Sequence, residues 1–341
     1  MDKVFGITAL TTVVERIKNP KSALWDILIG SEKAERTQNF EVHTRDEGRL
    51  RAPLVGKREG SIFIEKGAFK TAVYTPPMIK LHTINLAEDM LTQKFGQTQY
   101  GDAQAAWKNQ LADDITKLKN IAFRTKTWML TQLFKTGICP TADGTEGVKF
   151  GEFSKIVLSG TSCFDSEESD PIAWLKEKQE EVQQKTGIIL DTVITTPKVA
   201  GALHKHPIVK EYLKQNNANM YLINDKTTEK SNGEKLEAYL PTLGIKIYSF
   251  VDWAKDISSD KEEAVLEEKH LLFAKRGGFK AQYGAMPLRA KQGERAKLFI
   301  NKEVVRTWYP ETSEDEELQY FSAPLISPLD AQGWVYAQVI A

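Results

Sequence analysis

The chain has 341 residues, of which 41% are hydrophobic, and this is enough for one large or two medium domains with real cores. Its 46 Lys and Arg residues balance 46 Asp and Glu residues, which argues against a strongly basic nucleic-acid-binding protein. Two cysteines, Cys139 and Cys163, are too few for a disulfide framework or a zinc cage, and we expect free thiols in a reducing compartment. No apolar run is long enough to span a membrane and the first residues are too polar for a secretory signal, so the sequence predicts an intracellular soluble protein.

The first 30 residues carry two short apolar helical patterns separated by Asn19-Pro20. The second pattern, from Leu24 to Ile29, is almost wholly apolar. Neither pattern is long enough to own a core, so we expect this segment to pack on something else, with a neighbouring chain as one candidate.

Residues 36–86 change to the alternating pattern of β-strands. Alternation is clear at residues 40–45 and 61–66, and the stretch between them is basic and contains Gly48, Gly56 and Gly60. We predict a long β-hairpin with little apolar surface of its own, suited to lying across another surface. The turn Tyr74-Thr75-Pro76-Pro77 ends it, and residues 79–84 form a further strand.

A long helix is predicted over residues 102–136, because apolar residues recur there at spacings of three, four and seven. Asp102 is a candidate N-cap and Gly137 a stop signal. At 1.5 Å per residue such a helix is about 50 Å long, which makes it a structural spine.

Residues 140–295 alternate between helical and strand patterns. Pro171 begins a helix, buried strands are predicted at 188–194, 244–251 and 270–274, and residues 224–240 hold a polar stretch with a weak helix. Long strands follow at 297–309 and 317–322, with an acidic loop between them.

The closing run, SAPLISPLDAQGWVYAQVIA, is apolar on both faces near its end. A strand that is apolar on both faces needs cover on both faces. The sequence therefore predicts that the chain ends in a strand inside a sheet.

No catalytic or metal-binding motif stands out. His204 and His206 diverge on a helix and lack a partner cluster of cysteines or carboxylates. The acidic run at residues 165–170 precedes a predicted helix, where carboxylates favour the positive end. Neither cysteine has a histidine in a recognisable motif, and the glycines at 144–151 are not followed by Lys-Ser or Lys-Thr. We predict no enzyme and no cofactor.

The order of these elements resembles the Hong Kong 97-type fold of tailed-phage major capsid proteins, and more closely the lambda-type major capsid protein E family. The similarity is carried by "RLRAPLVGKREGSIFIEKGAFKTAVYTPPMIKLHTINL" (49–86), the position of the spine helix, "FINKEVVRTWYPE" (299–311) and the closing run. The closing run is the most specific of these, whereas the middle of the chain matches by order alone.

The resemblance implies an α+β capsid fold divided into six segments. These are an N-terminal arm (1–31), an extended hairpin loop with adjoining peripheral strands (32–86), a peripheral domain with the spine helix (87–140), an axial α/β domain (141–296), peripheral-domain strands (297–325) and a C-terminal strand docked in the core (326–341).

The resemblance also implies where subunits touch. The hairpin would lie over the adjacent subunit, and the arm would reach toward a neighbour. Acidic residues near 311–316 are one candidate partner for the basic hairpin. The candidate inter-subunit contacts are Arg45, Arg49, Arg51, Lys57, Arg58, Glu311, Glu314, Asp315 and Glu316.

The function implied is that of a major capsid protein that self-assembles into an icosahedral shell of hexamers and pentamers around double-stranded DNA, in the virion, after assembly in the host cytoplasm. Its expected partners are a portal protein, non-specifically contacted DNA, a decoration protein as a further candidate, and no membrane. The 30 residues before the first strand lack a long charged helical segment, so we expect a separate scaffolding protein and no large maturation cleavage. The alternatives are an encapsulin-like nanocompartment shell and a soluble α/β enzyme or binding protein.

Overall fold

The computed structural model describes residues 6–18, 20, 22–45, 69–85, 103–141, 147–150, 153, 155–215, 234–255, 262–290, 293–310 and 316–341. The helices are α1 (Ile7–Arg16), α2 (Ala23–Leu28), α3 (Ala103–Thr136), α4 (Pro171–Thr186), α5 (Pro197–Lys205) and α6 (Pro207–Gln215).

The strands of the first half are β1 (Ile29–Ala34), β2 (Phe40–Arg45), β3 (Phe69–Tyr74), β4 (Ile79–Asn85), β5 (Ile138–Cys139), β6 (Val148–Lys149), β7 (Ile156–Val157), β8 (Thr192–Thr195), β9 (Glu234–Leu240) and β10 (Ile245–Phe250). Those of the second half are β11 (Trp253–Lys255), β12 (Glu262–Ala264), β13 (His270–Ala274), β14 (Phe279–Tyr283), β15 (Met286–Leu288), β16 (Lys297–Phe299), β17 (Val304–Trp308), β18 (Glu316–Ser322), β19 (Pro324–Pro328) and β20 (Trp334–Gln338).

The chain ends inside the largest sheet, whose strand order is β7-β20-β13-β8-β10-β9. Strand β20 runs antiparallel to β13 and parallel to β7. Trp334 and Tyr336 enter one core, while Val335 and Ala337 enter a second core on the opposite face of the sheet, against α4, α5 and α6. The predicted two-sided closing strand is therefore confirmed.

The spine helix is confirmed as α3, with 34 residues. Gly137 ends it with φ +75°, a left-handed conformation that glycine adopts without strain, and its N–H donates to the carbonyl of Leu133 at 2.8 Å. The C-terminal half of the helix packs on the large sheet, where the Trp334 indole donates to the carbonyl of Phe134 at 3.2 Å. The helix thereby joins the large sheet to the rest of the subunit.

The three-stranded antiparallel sheet β17-β18-β4 packs on the other half of α3. Val305, Leu318 and Tyr320 form its inner face. The single long strand predicted at 297–309 is wrong: β16 pairs with β15, and β17 pairs with β18. The break falls at residues 300–303, where the side chain of Glu303 is buried against lysines of α3.

Both N-terminal helices are confirmed, and both pack on their own chain. Leu10 and Val14 of α1 are 3% and 0% exposed in the core shared with α3 and β18. Helix α2 enters the core beneath the large sheet. The apolar faces that suggested a neighbouring chain are thus covered within the subunit.

Helix α2 ends earlier than its apolar pattern suggests, because Ile29 begins β1 in the sheet β1-β14-β19. Gly30 lies against Gly277, and a Cβ on Gly30 would come within 2.6 Å of the carbonyl oxygen of Gly277. This close approach lets β1 run beside β14.

The hairpin predicted from residue 36 begins as expected with β2, which pairs antiparallel with β3. The predicted strand at 61–66 lies outside the described residues. Pro76 follows β3 at the predicted turn, and β4 confirms the strand expected at 79–84.

Between residues 155 and 290 the structure confirms most of the predicted alternation of helices and strands. The Asp170 carboxylate caps α4 by accepting from the Ala173 N–H at 2.9 Å, and strands occur at β10 and β13 as predicted. The buried strand expected at 188–194 is shorter and later, at β8. The weak helix expected at 224–240 is wrong over its second half, where β9 pairs with β10. Ala238 and Leu240 of β9 are buried on the sheet. The segment is rich in Glu, Lys, Leu and Ala, which favour helix, and pairing with β10 overrides that preference.

Candidate functional site

Most of the predicted inter-subunit contacts fall outside the described residues, namely Arg49, Arg51, Lys57, Arg58, Glu311, Glu314 and Asp315. Arg45 is the last residue of β2, and its backbone lies opposite that of Phe69. The interface that these residues were expected to form stays a prediction.

Glu316 is the predicted contact whose side chain the structure describes. It opens β18 opposite Asn85 and is 7% exposed. The Tyr309 hydroxyl donates to the Glu316 carboxylate at 2.9 Å, and burial raises the pKa of Glu316. In the isolated subunit this carboxylate therefore has a partner within its own chain.

A buried ionic cluster that the sequence did not reveal joins α1, α3 and the start of β17. Glu303 lies 2.8 Å from the ammonium of Lys126 and 3.3 Å from that of Lys119. Lys119 also donates to the carbonyls of Val14 and Ile17 at 2.7 and 2.5 Å, so it caps the end of α1. One carboxylate and two lysines thus hold the N-terminal helix against the spine.

Burial and the neighbouring opposite charges have opposing effects on the pKa values of Lys126 and Glu303. Burial lowers the pKa of Lys126, against the attraction of Glu303. Burial alone would raise the pKa of Glu303, but the two lysines lower it. The Lys126 ammonium also lies 4.9 Å from the centre of the Tyr283 ring, and this cation–π contact stabilises the charged form of the lysine.

A second charged cluster sits at the end of the large sheet around Glu267. Its carboxylate lies 3.1 Å from the Lys155 ammonium, 4.0 Å from that of Lys135 and 3.0 Å from Nδ1 of His270. The His270 ring stacks on Tyr336 with centroids 5.0 Å apart. Burial lowers the pKa of His270 to about 4, so the ring is neutral near pH 7.

The third cluster involves one of the histidines noted in the sequence. Glu237 accepts from Ser249 at 2.6 Å and lies 3.0 Å from Nε2 of His204 and 3.2 Å from the Lys235 ammonium. Burial opposes ionisation of Glu237, yet these contacts lower its pKa to about 2. His206, in contrast, is buried at the end of α5, with Nε2 3.0 Å from the Ser166 carbonyl. The two rings therefore have separate partners and do not converge.

The two cysteines noted in the sequence are both buried thiols. Cys139 and Cys163 are free and buried, and burial raises the pKa of both thiols. Within the described part of the chain no group of three His, Cys, Asp or Glu side chains is placed to hold a metal ion, and none of its helices is long and apolar enough to cross a membrane. The three charged clusters link elements within the subunit.

Comparison with known proteins gives a consistent result. A family model described as phage major capsid protein E matches residues 6–339. A structure assigned as the capsid protein of a prophage of Escherichia coli CFT073 aligns with a TM-score of 0.68 at 16% identity, covering 98% of this chain and 99% of that chain. A phage-related protein from Bordetella bronchiseptica RB50 gives 0.52 at 11%, covering 98% and 97%. The capsid of cyanophage A-1(L) gives 0.50 at 11%, covering 95% and 94%. No match is found among curated proteins.

The spine helix, the sheet packed along it and the large sheet that holds the chain end form, with these matches, a Hong Kong 97-type capsid fold. The family model covers nearly the whole chain, and the chain belongs to the phage major capsid protein E family. It is a major capsid protein of phage or prophage type, a structural protein that self-associates into the shell of the virion.

Proposed function

We propose that this chain builds the icosahedral head of a tailed phage or prophage, in rings of six and five subunits around packaged double-stranded DNA. The match to the capsid family over residues 6–339 carries this proposal. In this proposal the subunit acts by assembly alone and catalyses no reaction. The charged clusters among the described residues support it, because each of them links elements of the subunit to one another.

The basic hairpin is the proposed contact with the adjacent subunit. Strands β2 and β3 form a two-stranded sheet that pairs with no third strand in the described ranges, and an unpaired strand edge can pair with another chain. Arg45, Arg49, Arg51, Lys57 and Arg58 would meet the acidic stretch Glu311–Glu316 of a neighbour.

Charge reversal tests this contact. Arg49→Glu with Arg51→Glu should block particle formation, because like charges would then face each other across the boundary. Lys205→Glu with Lys210→Glu, on exposed positions of α5 and α6, is the matched control and should leave particle yield unchanged. Normal particles from the hairpin double variant would contradict the contact.

Four further partners complete the proposal: a separate scaffolding protein, a portal protein, a decoration protein and DNA held without sequence preference. Assembly takes place in the host cytoplasm, and the chain keeps its size between precursor and mature particles. Balanced charge agrees with shell contacts of moderate strength.

Particles purified from host cells and treated with nuclease provide the test. Protected double-stranded DNA in particles whose subunit keeps its full mass is the expected result. Small uniform shells that form without a scaffold and carry an enzyme instead of DNA would indicate an encapsulin-like compartment. A discrete monomer or dimer with a small-molecule ligand would contradict the capsid function.

A further inference from the structure

The hairpin β15–β16 presents an apolar strip to solvent. Its strands pair so that Pro287 lies opposite Leu298, with Met286 opposite Phe299 on the other face. Because side chains alternate along a strand, Pro287 and Leu298 share the outward face, and Ile300 follows two residues after Leu298. Leu298 is 50% exposed and Ile300 42%, and Pro287 is also exposed. We call Pro287, Leu298 and Ile300 the hairpin strip.

The inward face of this hairpin is firmly attached to the subunit. Met286 and Leu288 are buried in a cluster with Val304, Phe321 and Ala323. The apolar contacts therefore fix the orientation of the hairpin, and with it the direction in which the strip faces.

Arg306 adds a polar attachment to the same hairpin. Its guanidinium lies between the rings of Trp308 and Phe321, at 4.4 and 5.1 Å, and its Nε donates to the Gln319 side chain at 2.8 Å. One of its Nη groups donates to the carbonyl of Arg289, at the end of β15. The strip is thus presented on a preorganised support, which reduces the entropy lost on binding.

The strip lies within a basic segment of an otherwise neutral chain. Residues 289–302 contain five lysines and arginines and a single carboxylate, a surplus of four positive charges. Two copies of this segment would repel each other if they met face to face, so its partner is a different surface. Glu294 is engaged by Lys297 at 3.3 Å, and Arg289 and Arg295 are exposed on either side of the turn.

We infer that the hairpin strip docks on a second copy of this chain, at a surface other than residues 289–302. Two different surfaces of the same chain then meet, which is the heterologous kind of contact that rings and closed shells repeat. The apolar strip with flanking cations fits a protein partner, because a DNA backbone would be met by the cations alone. This inference rests on the proposed assembly of the chain into a shell.

Site-specific crosslinking identifies the partner directly. A photoreactive benzoylphenylalanine replaces Leu298, and particles are assembled from a mixture of light and nitrogen-15-labelled subunits. After irradiation, mass spectrometry should find peptides that join a light chain to a heavy chain through residue 298, and these peptides should be absent from unassembled subunits. Crosslinks confined to one chain, or formed only with DNA, would overturn the inference.

A charge substitution measures the contribution of the strip. Leu298→Glu should reduce the fraction of subunits in particles at least tenfold while the unfolding midpoint of the free subunit stays unchanged. Leu329→Glu places the same group at another exposed leucine, 45% exposed, and should assemble within twofold of the original chain. Undiminished assembly of Leu298→Glu would overturn the docking contact alone, whereas an original chain that forms no particles would overturn the proposed function as well.

Discussion

The buried carboxylate of Glu303 contacts the ammonium groups of both Lys119 and Lys126. The effect of this cluster on the free energy of unfolding depends on whether one partner or the whole cluster is replaced. Lys119 and Lys126 are 3% and 2% exposed, so neither ammonium can regain water without opening the core. A buried ion pair contributes little beyond an apolar substitute, but a buried charge that loses its partner is strongly destabilising. The cluster therefore makes the packing of α1, α3 and β17 interdependent.

The first prediction follows from that asymmetry. Glu303→Gln should lower the free energy of unfolding by about 3–5 kcal/mol, because both lysines lose their counter-charge. Urea unfolding of the free subunit measures the change. Glu180→Gln removes a carboxylate from the exposed pair with Lys176 and should cost about 1 kcal/mol or less. Equal effects of the two substitutions would contradict the role of Glu303.

Glu237 gives a prediction about pH. Its pKa in the folded subunit, about 2, lies below its ordinary value of 4.5, so its charge stabilises the fold fully above pH 4.5. That stabilisation, up to about 3 kcal/mol, is lost as the pH falls from 4.5 toward 2. Glu237→Gln should therefore flatten the decline of the unfolding temperature between pH 4.5 and 2.5. Glu168→Gln, at an exposed carboxylate, serves as the control, and a variant that declines as steeply as the original chain would rule out Glu237 as the cause.

At the scale of elements, the closing strand and the spine helix were predictable because their signals are local. Apolar residues on both faces near Trp334 identify a covered strand, and a recurring apolar face over 34 residues identifies α3. The Glu303 cluster was not predictable, because Lys126 and Glu303 are 177 residues apart and lysines usually lie at the surface. Strand β9 was missed because its Glu, Lys, Leu and Ala residues favour helix, and only the pairing with β10 makes the segment a strand.

The closing strand provides the third prediction. Removal of Trp334–Ala341 takes away a strand that lies between β7 and β13 and contributes to two cores. We expect the shortened chain to be insoluble or unfolded, as judged by circular dichroism and by sedimentation. A soluble, folded product would mean that the large sheet closes without β20.

The N-terminal helix provides the fourth. Because Leu10 is 3% exposed in the core shared with α3, Leu10→Ala should cost about 2–5 kcal/mol of subunit stability. Val13→Ala, on the exposed side of the same helix, should change stability by about 0.5 kcal/mol or less. Chemical denaturation of the unassembled subunit distinguishes the two. A negligible effect of Leu10→Ala would mean that α1 contributes to assembly only.

At the scale of the whole molecule, the subunit combines a rigid interior with a surface built for repeated contacts. Among the described residues, three charged clusters and the apolar cores on both faces of the large sheet and along α3 hold the helices against the sheets. In the proposed assembly, the two-stranded hairpins β2–β3 and β15–β16 would contact other chains. A net charge of zero with locally basic hairpins favours many moderate contacts between copies. Such contacts can be broken and remade, so a growing shell can correct misplaced subunits.

Cryo-electron microscopy of particles that contain this chain tests the central claim most directly. We expect a closed icosahedral shell in which copies of this chain form rings of five and six, with the β2–β3 hairpin of each copy lying over its neighbour. Recovery of the chain only as a discrete monomer or dimer, when it is co-expressed with the other head genes of its phage or prophage, would contradict this prediction.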